Sequence, residues 1–140
     1  MNNNIINLWE KNKESLQEYF TTTNQENYSS YKSLVKIIVE YILNNHKENY
    51  DIPMYDVEHI TVIDDGDYQG TQLFLIPEAT YQPNSNEYLV IYTYYGSCSG
   101  CDMLQAINEY EDGLPNKEQV DDYMTLCLHL VQHMKPLYKK

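Results

Sequence analysis

The sequence predicts an α+β fold: a small antiparallel sheet of about three strands with helices packed on one face, in the order α-α-β-β-β-α-α. Two observations carry that prediction. Apolar residues recur at helical spacing at both ends of the chain and alternate with period two in the middle. Turn-forming Gly and Pro residues separate the patterned segments. With 140 residues, 42% of them apolar, the chain is expected to form one globular domain over 1–140.

The first helix is expected over 5–20. Ile5, Leu8, Trp9, Leu16, Tyr19 and Phe20 recur at spacings that place them on one buried stripe. Thr21-Thr22-Thr23-Asn24 breaks the pattern, and Ser29 or Ser30 can cap a second helix reaching about Asn45. Tyr31, Leu34, Val35, Ile38, Tyr41 and Ile42 point inward, and Ile37 and Val39 make this helix apolar nearly all round, hence central. Pro53 closes off any helical continuation.

The period then changes. Val57–Ile63 and Thr71–Ile76 are rich in β-branched residues and read as a hairpin, joined by the long acidic loop Asp64-Asp65-Gly66-Asp67-Tyr68-Gln69-Gly70. Pro77 and Pro83 bracket a connection to a third strand over 87–95. Its Leu89, Ile91, Thr93 and Tyr95 share one face, with Tyr88, Val90, Tyr92 and Tyr94 on the other. Beyond Gly96, Ser99 and Asp102 resemble a capping box ahead of Met103, Leu104, Ile107 and Tyr110. Gly113 and Pro115 stop that helix. A last one is expected from about Lys117 to Lys135, with acids near its start and Lys135 near its end, as the helix dipole favours.

Charge is unevenly distributed. The chain has nine Lys, no Arg and 21 acids, a formal net charge of −12. Residues 1–47 hold five Lys and five Glu, and residues 117–140 hold four Lys and three acids. Between them, residues 48–116 hold 13 acids and no Lys, together with nine of the 15 tyrosines. Direct nucleic-acid binding is disfavoured, because it needs Lys/Arg to displace condensed counterions. An anionic membrane surface is disfavoured for the same reason. The most nearly apolar run, Leu34–Leu43, is broken by Lys36 and Glu40 and is too short to span a bilayer. The first residues show no basic segment followed by an apolar one, and three cysteines make no disulfide framework. A reduced, cytoplasmic setting is therefore expected.

Cys98-Ser-Gly-Cys101 is the sharpest local motif. A strand delivers two thiols to the first turn of a helix, where N–H groups favour thiolate. The thioredoxin fold is rejected, because only helical patterns follow the motif and Asp102 adds negative charge beside it. Cys98 and Cys101 could form half of a zinc site, with His129 and His133 or Cys127 completing it. However, the two histidines fall on the polar side of the last helix, away from Val120, Met124, Cys127, Val131 and Met134. The preferred reading makes the cysteines small core hydrophobes and needs no cofactor. The acids Asp64, Asp65 and Asp67 do not follow the EF-hand spacing, and they read as a solvated loop. Glu109, Glu111 and Asp112 read as a solvated helix end. No catalytic constellation is recognisable, and without Arg the usual bidentate phosphate clamp is missing.

Three segments, Asp64–Thr71, Tyr94–Asp102 and Leu114–Val120 with Tyr123–Leu126, resemble uncharacterised small acidic proteins of phages and prophages of low-GC Gram-positive bacteria. The resemblance implies a mobile-element setting and carries no assigned activity. The expectation is a non-enzymatic acidic binding protein, a phage-encoded inhibitor that engages a basic, nucleic-acid-binding surface of a host protein. Asp64, Asp65, Asp67, Glu109, Glu111 and Asp112 would form the acidic surface. The alternative is a small zinc- or thiol-dependent protein centred on Cys98 and Cys101.

Overall fold

Four helices and a four-stranded antiparallel sheet make up the computed structural model, which describes residues 3–46, 53–66, 70–80, 83, 87–95, 103–108 and 112–136. Helix α1 covers Asn3–Thr22, α2 Tyr31–Ile38, α3 Met103–Asn108 and α4 Lys117–Gln132. Strands β1 (Thr61–Gly66), β2 (Gly70–Pro77), β3 (Tyr88–Tyr95) and β4 (Lys135–Pro136) lie side by side in chain order. The α+β class holds, and the sheet gains a short fourth strand after the last helix.

The helices form where the apolar stripes put them. In α1, Ile5, Leu8, Trp9, Leu16 and Phe20 are buried. Asn12, 6% exposed, occupies the same stripe, and its amide donates to the carbonyls of Ile42 and Asn45, each at 2.9 Å. Those carbonyls end the second helix, which is not α-helical to Asn45 as expected. After Ile38 it widens into a π-helical turn over Val39–Leu43, closed by the Asn44 N–H on the Val39 carbonyl at 2.8 Å. A buried amide from a neighbouring helix thus satisfies carbonyls that the helix end leaves unpaired. The expected cap is present: Ser30 and Ser33 form a reciprocal capping box at the start of α2. Ile37, Val39 and Leu43 are buried along with the inward stripe, so this segment is central.

Asn44 also fastens the sheet to the helices. Its amide donates to the Tyr55 carbonyl at 2.9 Å, and its Oδ1 accepts the Tyr55 N–H at 2.8 Å. Tyr55 in turn bridges Glu78 beyond the end of β2. The turn Gln25–Tyr28 is a second junction. Its Gln25, 2% exposed, donates its N–H to the Gly113 carbonyl at 2.7 Å and accepts the Tyr123 hydroxyl at 2.7 Å. Tyr28 donates to the Thr23 carbonyl at 2.8 Å. Around these bonds Phe20 stacks on Tyr123 at 5.3 Å, and Tyr28 meets both rings edge-on at 4.9 and 5.0 Å. Tyr31 accepts the Leu104 N–H at 3.2 Å, satisfying a donor in the first turn of α3.

Several expected boundaries move for local reasons. Residues 57–59 form a 3-10 turn instead of opening a strand. The Asp56 carboxylate accepts the Glu58 N–H at 3.0 Å, a side-chain bond that competes with the ladder. The strand begins at Thr61 and runs through Asp64 and Asp65 to Gly66, so the acidic loop is shorter than expected. Helix α4 stops at Gln132, short of Lys135. Pro136 disfavours helical backbone at Lys135, which turns extended and pairs with Val90 while Pro136 pairs with Leu89. A proline on a two-residue edge strand forfeits little of the ladder.

Phe74, Ile76, Leu89 and Ile91 point into the core shared with the helices, and Val62 packs against it. This is the face of β3 assigned from its alternation. The expected capping box at Ser99 and Asp102 and the inward Tyr110 lie outside the described residues, as does Tyr95's side chain.

Candidate functional site

The acidic residues singled out in the sequence are carried by different parts of the fold. Asp64 lies in β1 opposite Gln72, whose amide donates to its Oδ2 at 3.1 Å. Its side chain is exposed, so the carboxylate keeps its water while a neutral donor orients it. Asp65 pairs with Thr71 in the same ladder. Neither is in a loop. Asp residues are rare in strands, but β1 is an edge strand on which Asp64 stays in solvent, and six backbone pairs hold the register. Asp67, Glu109 and Glu111 lie outside the described residues.

Asp112 is exposed and precedes Gly113, which takes a left-handed φ of +89°. The Gly113 N–H donates to the Glu26 carboxylate at 3.2 Å, and its carbonyl holds Gln25. Asp112 is therefore anchored on the Gln25–Tyr28 turn of the helical layer, whereas Asp64 is anchored on β2. The sequence had grouped them as one surface, and the fold seats them on separate supports.

The thiol and metal candidates divide similarly. Cys98 and Cys101 lie outside the described residues. Cys127 is fully buried in the core, and burial pushes its thiol pKa up, against ionisation. A ligand in that position would need the core to open, so Cys127 does not fit the role of third zinc ligand. His129 and His133 are exposed, and the His133 Nδ1 sits 2.6 Å from the His129 carbonyl. They occupy the polar side of α4, as the helical periodicity implied. Among the described residues no group of three or more His, Cys, Asp or Glu could hold a metal ion.

At the entry to β1, His59 Nδ1 lies 2.6 Å from Asp56 Oδ2. That bond, with the Glu58 N–H, holds the Asp56 carboxyl below its ordinary value. The pair is open to solvent and terminates a turn. Burial raises the pKa values of Tyr28, Tyr55 and Tyr123, with Glu78 adding to the effect at Tyr55. These tyrosines stay neutral; Tyr28 and Tyr123 serve as donors within the core.

One surface was not identified in the sequence. The sheet positions that alternate away from the core include Ile63, Leu73 and Tyr92, which align in one row across β1, β2 and β3. Ile63 is 50% exposed and Tyr92 57%. In the next row Leu75 lies beside Val90, which is buried yet stands outside the main core cluster. The alternation of β3 places Tyr92 on this face; the sequence alone leaves open whether anything covers it. On the inward face, the row of Asp64, Gln72 and Thr93 marks where the apolar core runs out. Thr93 is 5% exposed, and its hydroxyl has no hydrogen-bond partner among the described residues.

No helix among the described residues is long and apolar enough to cross a membrane. No family model matches the chain, and neither a curated protein nor a solved structure is detectably similar to it.

Proposed function

We propose that this chain is a non-enzymatic acidic binding protein, a phage-borne inhibitor that engages the basic, nucleic-acid-binding surface of a host protein. The supporting observation is the charge of residues 48–116, 13 acids without one Lys or Arg, in the segment that supplies three of the four strands. A field of one sign over a rigid sheet attracts a cationic groove and repels nucleic acid and anionic lipid. Exposed carboxylates such as Asp64 can take the place of backbone phosphates against Lys and Arg. The resemblance of three segments to small acidic phage proteins supplies the proposed setting.

The test is retention of a partner on the immobilised chain from nuclease-treated lysate of a low-GC Gram-positive bacterium. The expected result is a nucleic-acid-binding protein that added duplex DNA displaces and that salt releases, as the Debye length falls from about 10 Å at 0.1 M to about 3 Å at 1 M. Retention indifferent to salt and to DNA overturns the proposal, as does retention of nothing.

A further inference from the structure

The outward face of the sheet is built like the centre of an interface. Ile63, Leu73 and Tyr92 form one row, and Leu75 and Val90 continue it in the next, so apolar side chains from three adjacent strands are contiguous. Cross-strand neighbours of this kind stand about 5 Å apart. Two of the largest apolar side chains on the surface, Ile63 and Tyr92, are at least half exposed in the same row. A rigid aromatic beside aliphatic side chains is the composition that dominates binding energy at protein interfaces.

Charge selects the occupant. Residues 53–95, which include the whole of β1, β2 and β3, carry seven acids and no Lys or Arg; Lys135 of β4 is the one cation on the strands. A second copy would bring the same net negative charge to the contact, and an anionic membrane would meet the same repulsion. A complementary partner carries an apolar centre ringed by Lys and Arg.

We propose that the outward sheet face, with Ile63 and Tyr92 at its centre, is the docking surface for a protein partner whose contact patch is apolar in the middle and basic at the rim. This deepens the acidic-binding reading and rests on it. Carboxylates around the sheet steer the partner in, and the apolar rows then exclude water beneath it and slow its departure.

The test uses two synthetic peptides of equal positive charge, one an amphipathic helix with a Leu/Trp face bordered by Lys, the other oligolysine. Affinity is measured by fluorescence anisotropy and contacts by backbone amide shifts. The amphipathic peptide should bind at least about tenfold more tightly than oligolysine. It should shift amides of 61–65, 71–75 and 88–92. The double variant Ile63→Thr/Tyr92→Thr, which keeps β-branched residues at both positions, should erase that difference while leaving oligolysine binding unchanged. Equal binding of the two peptides, unaffected by the double variant, removes the docking surface and leaves the acidic-binding reading standing. If neither peptide binds, both readings fail. Self-association of the unaltered chain that the double variant abolishes assigns the face to a second copy and overturns the proposal.

Discussion

Tyr28 and Tyr123 in the helical layer and Tyr92 in the sheet are the same side chain in opposite situations. The first two are fully buried, packed edge-to-face on one another, and each hydroxyl has a partner, the Thr23 carbonyl or Gln25 Oε1. Tyr92 stands 57% exposed in a row with Ile63. A tyrosine buried with its hydroxyl satisfied rigidifies a core. Left on a flat apolar face, it offers ready-made contact area at little entropic cost. The helical layer closes Tyr28 and Tyr123 into the core, and the sheet leaves Tyr92 on its outward face.

Substitutions can break or sharpen that contrast. Phe20→Ala empties the centre of the aromatic cluster and should cost about 3–5 kcal/mol in urea unfolding. A loss below about 1 kcal/mol would mean that the cluster contributes little to stability. Asn12→Ala strips the Ile42 and Asn45 carbonyls of their buried donor and should cost about 1–3 kcal/mol. Slow amide exchange at residues 39–45 should be lost with it. Ser30→Ala removes half of the capping box of α2, for about 1 kcal/mol by the same measurement.

A smaller effect is expected at Asp56. Its folded pKa is lowered, so its stabilising contribution is present above the unfolded carboxylate value of about 4 and is lost as pH falls through the folded value. Asp56→Asn should therefore unfold more easily than the parent at pH 7 and match it at pH 2. An equal difference at both pH values would assign the effect to packing. Smallest of all, Ile63→Thr and Tyr92→Thr should each move stability by no more than about 0.5 kcal/mol. A larger loss would show that the outward face stabilises the fold itself.

Much of this was legible in the chain. The stripe of α1, the all-round apolar second helix, the alternation that groups Leu89, Ile91 and Thr93 on one face of β3, and the Ser30 cap each follow from residue spacing, which backbone periodicity converts directly into a face; which face of β3 turns inward does not. The misjudged elements share a cause. Asp64 and Asp65 read as loop because strands rarely use Asp, but a six-pair ladder and an edge position outweighed that preference. The partner of the carbonyls at the end of the second helix is Asn12, some 30 residues away in sequence. The site was less legible than the fold, because a list of acids carries no information on which element supports each one.

Fold class, the buried stripes and the lopsided charge were settled by the sequence alone, since they depend on local periodicity and composition. Only the tertiary structure decided that Asp112 rides on the helical layer while Asp64 rides on the sheet, and that Ile63 and Tyr92 share an exposed row. Each of these depends on which segments meet across long stretches of chain. That is set by the packing of whole faces, and no local window of residues contains it.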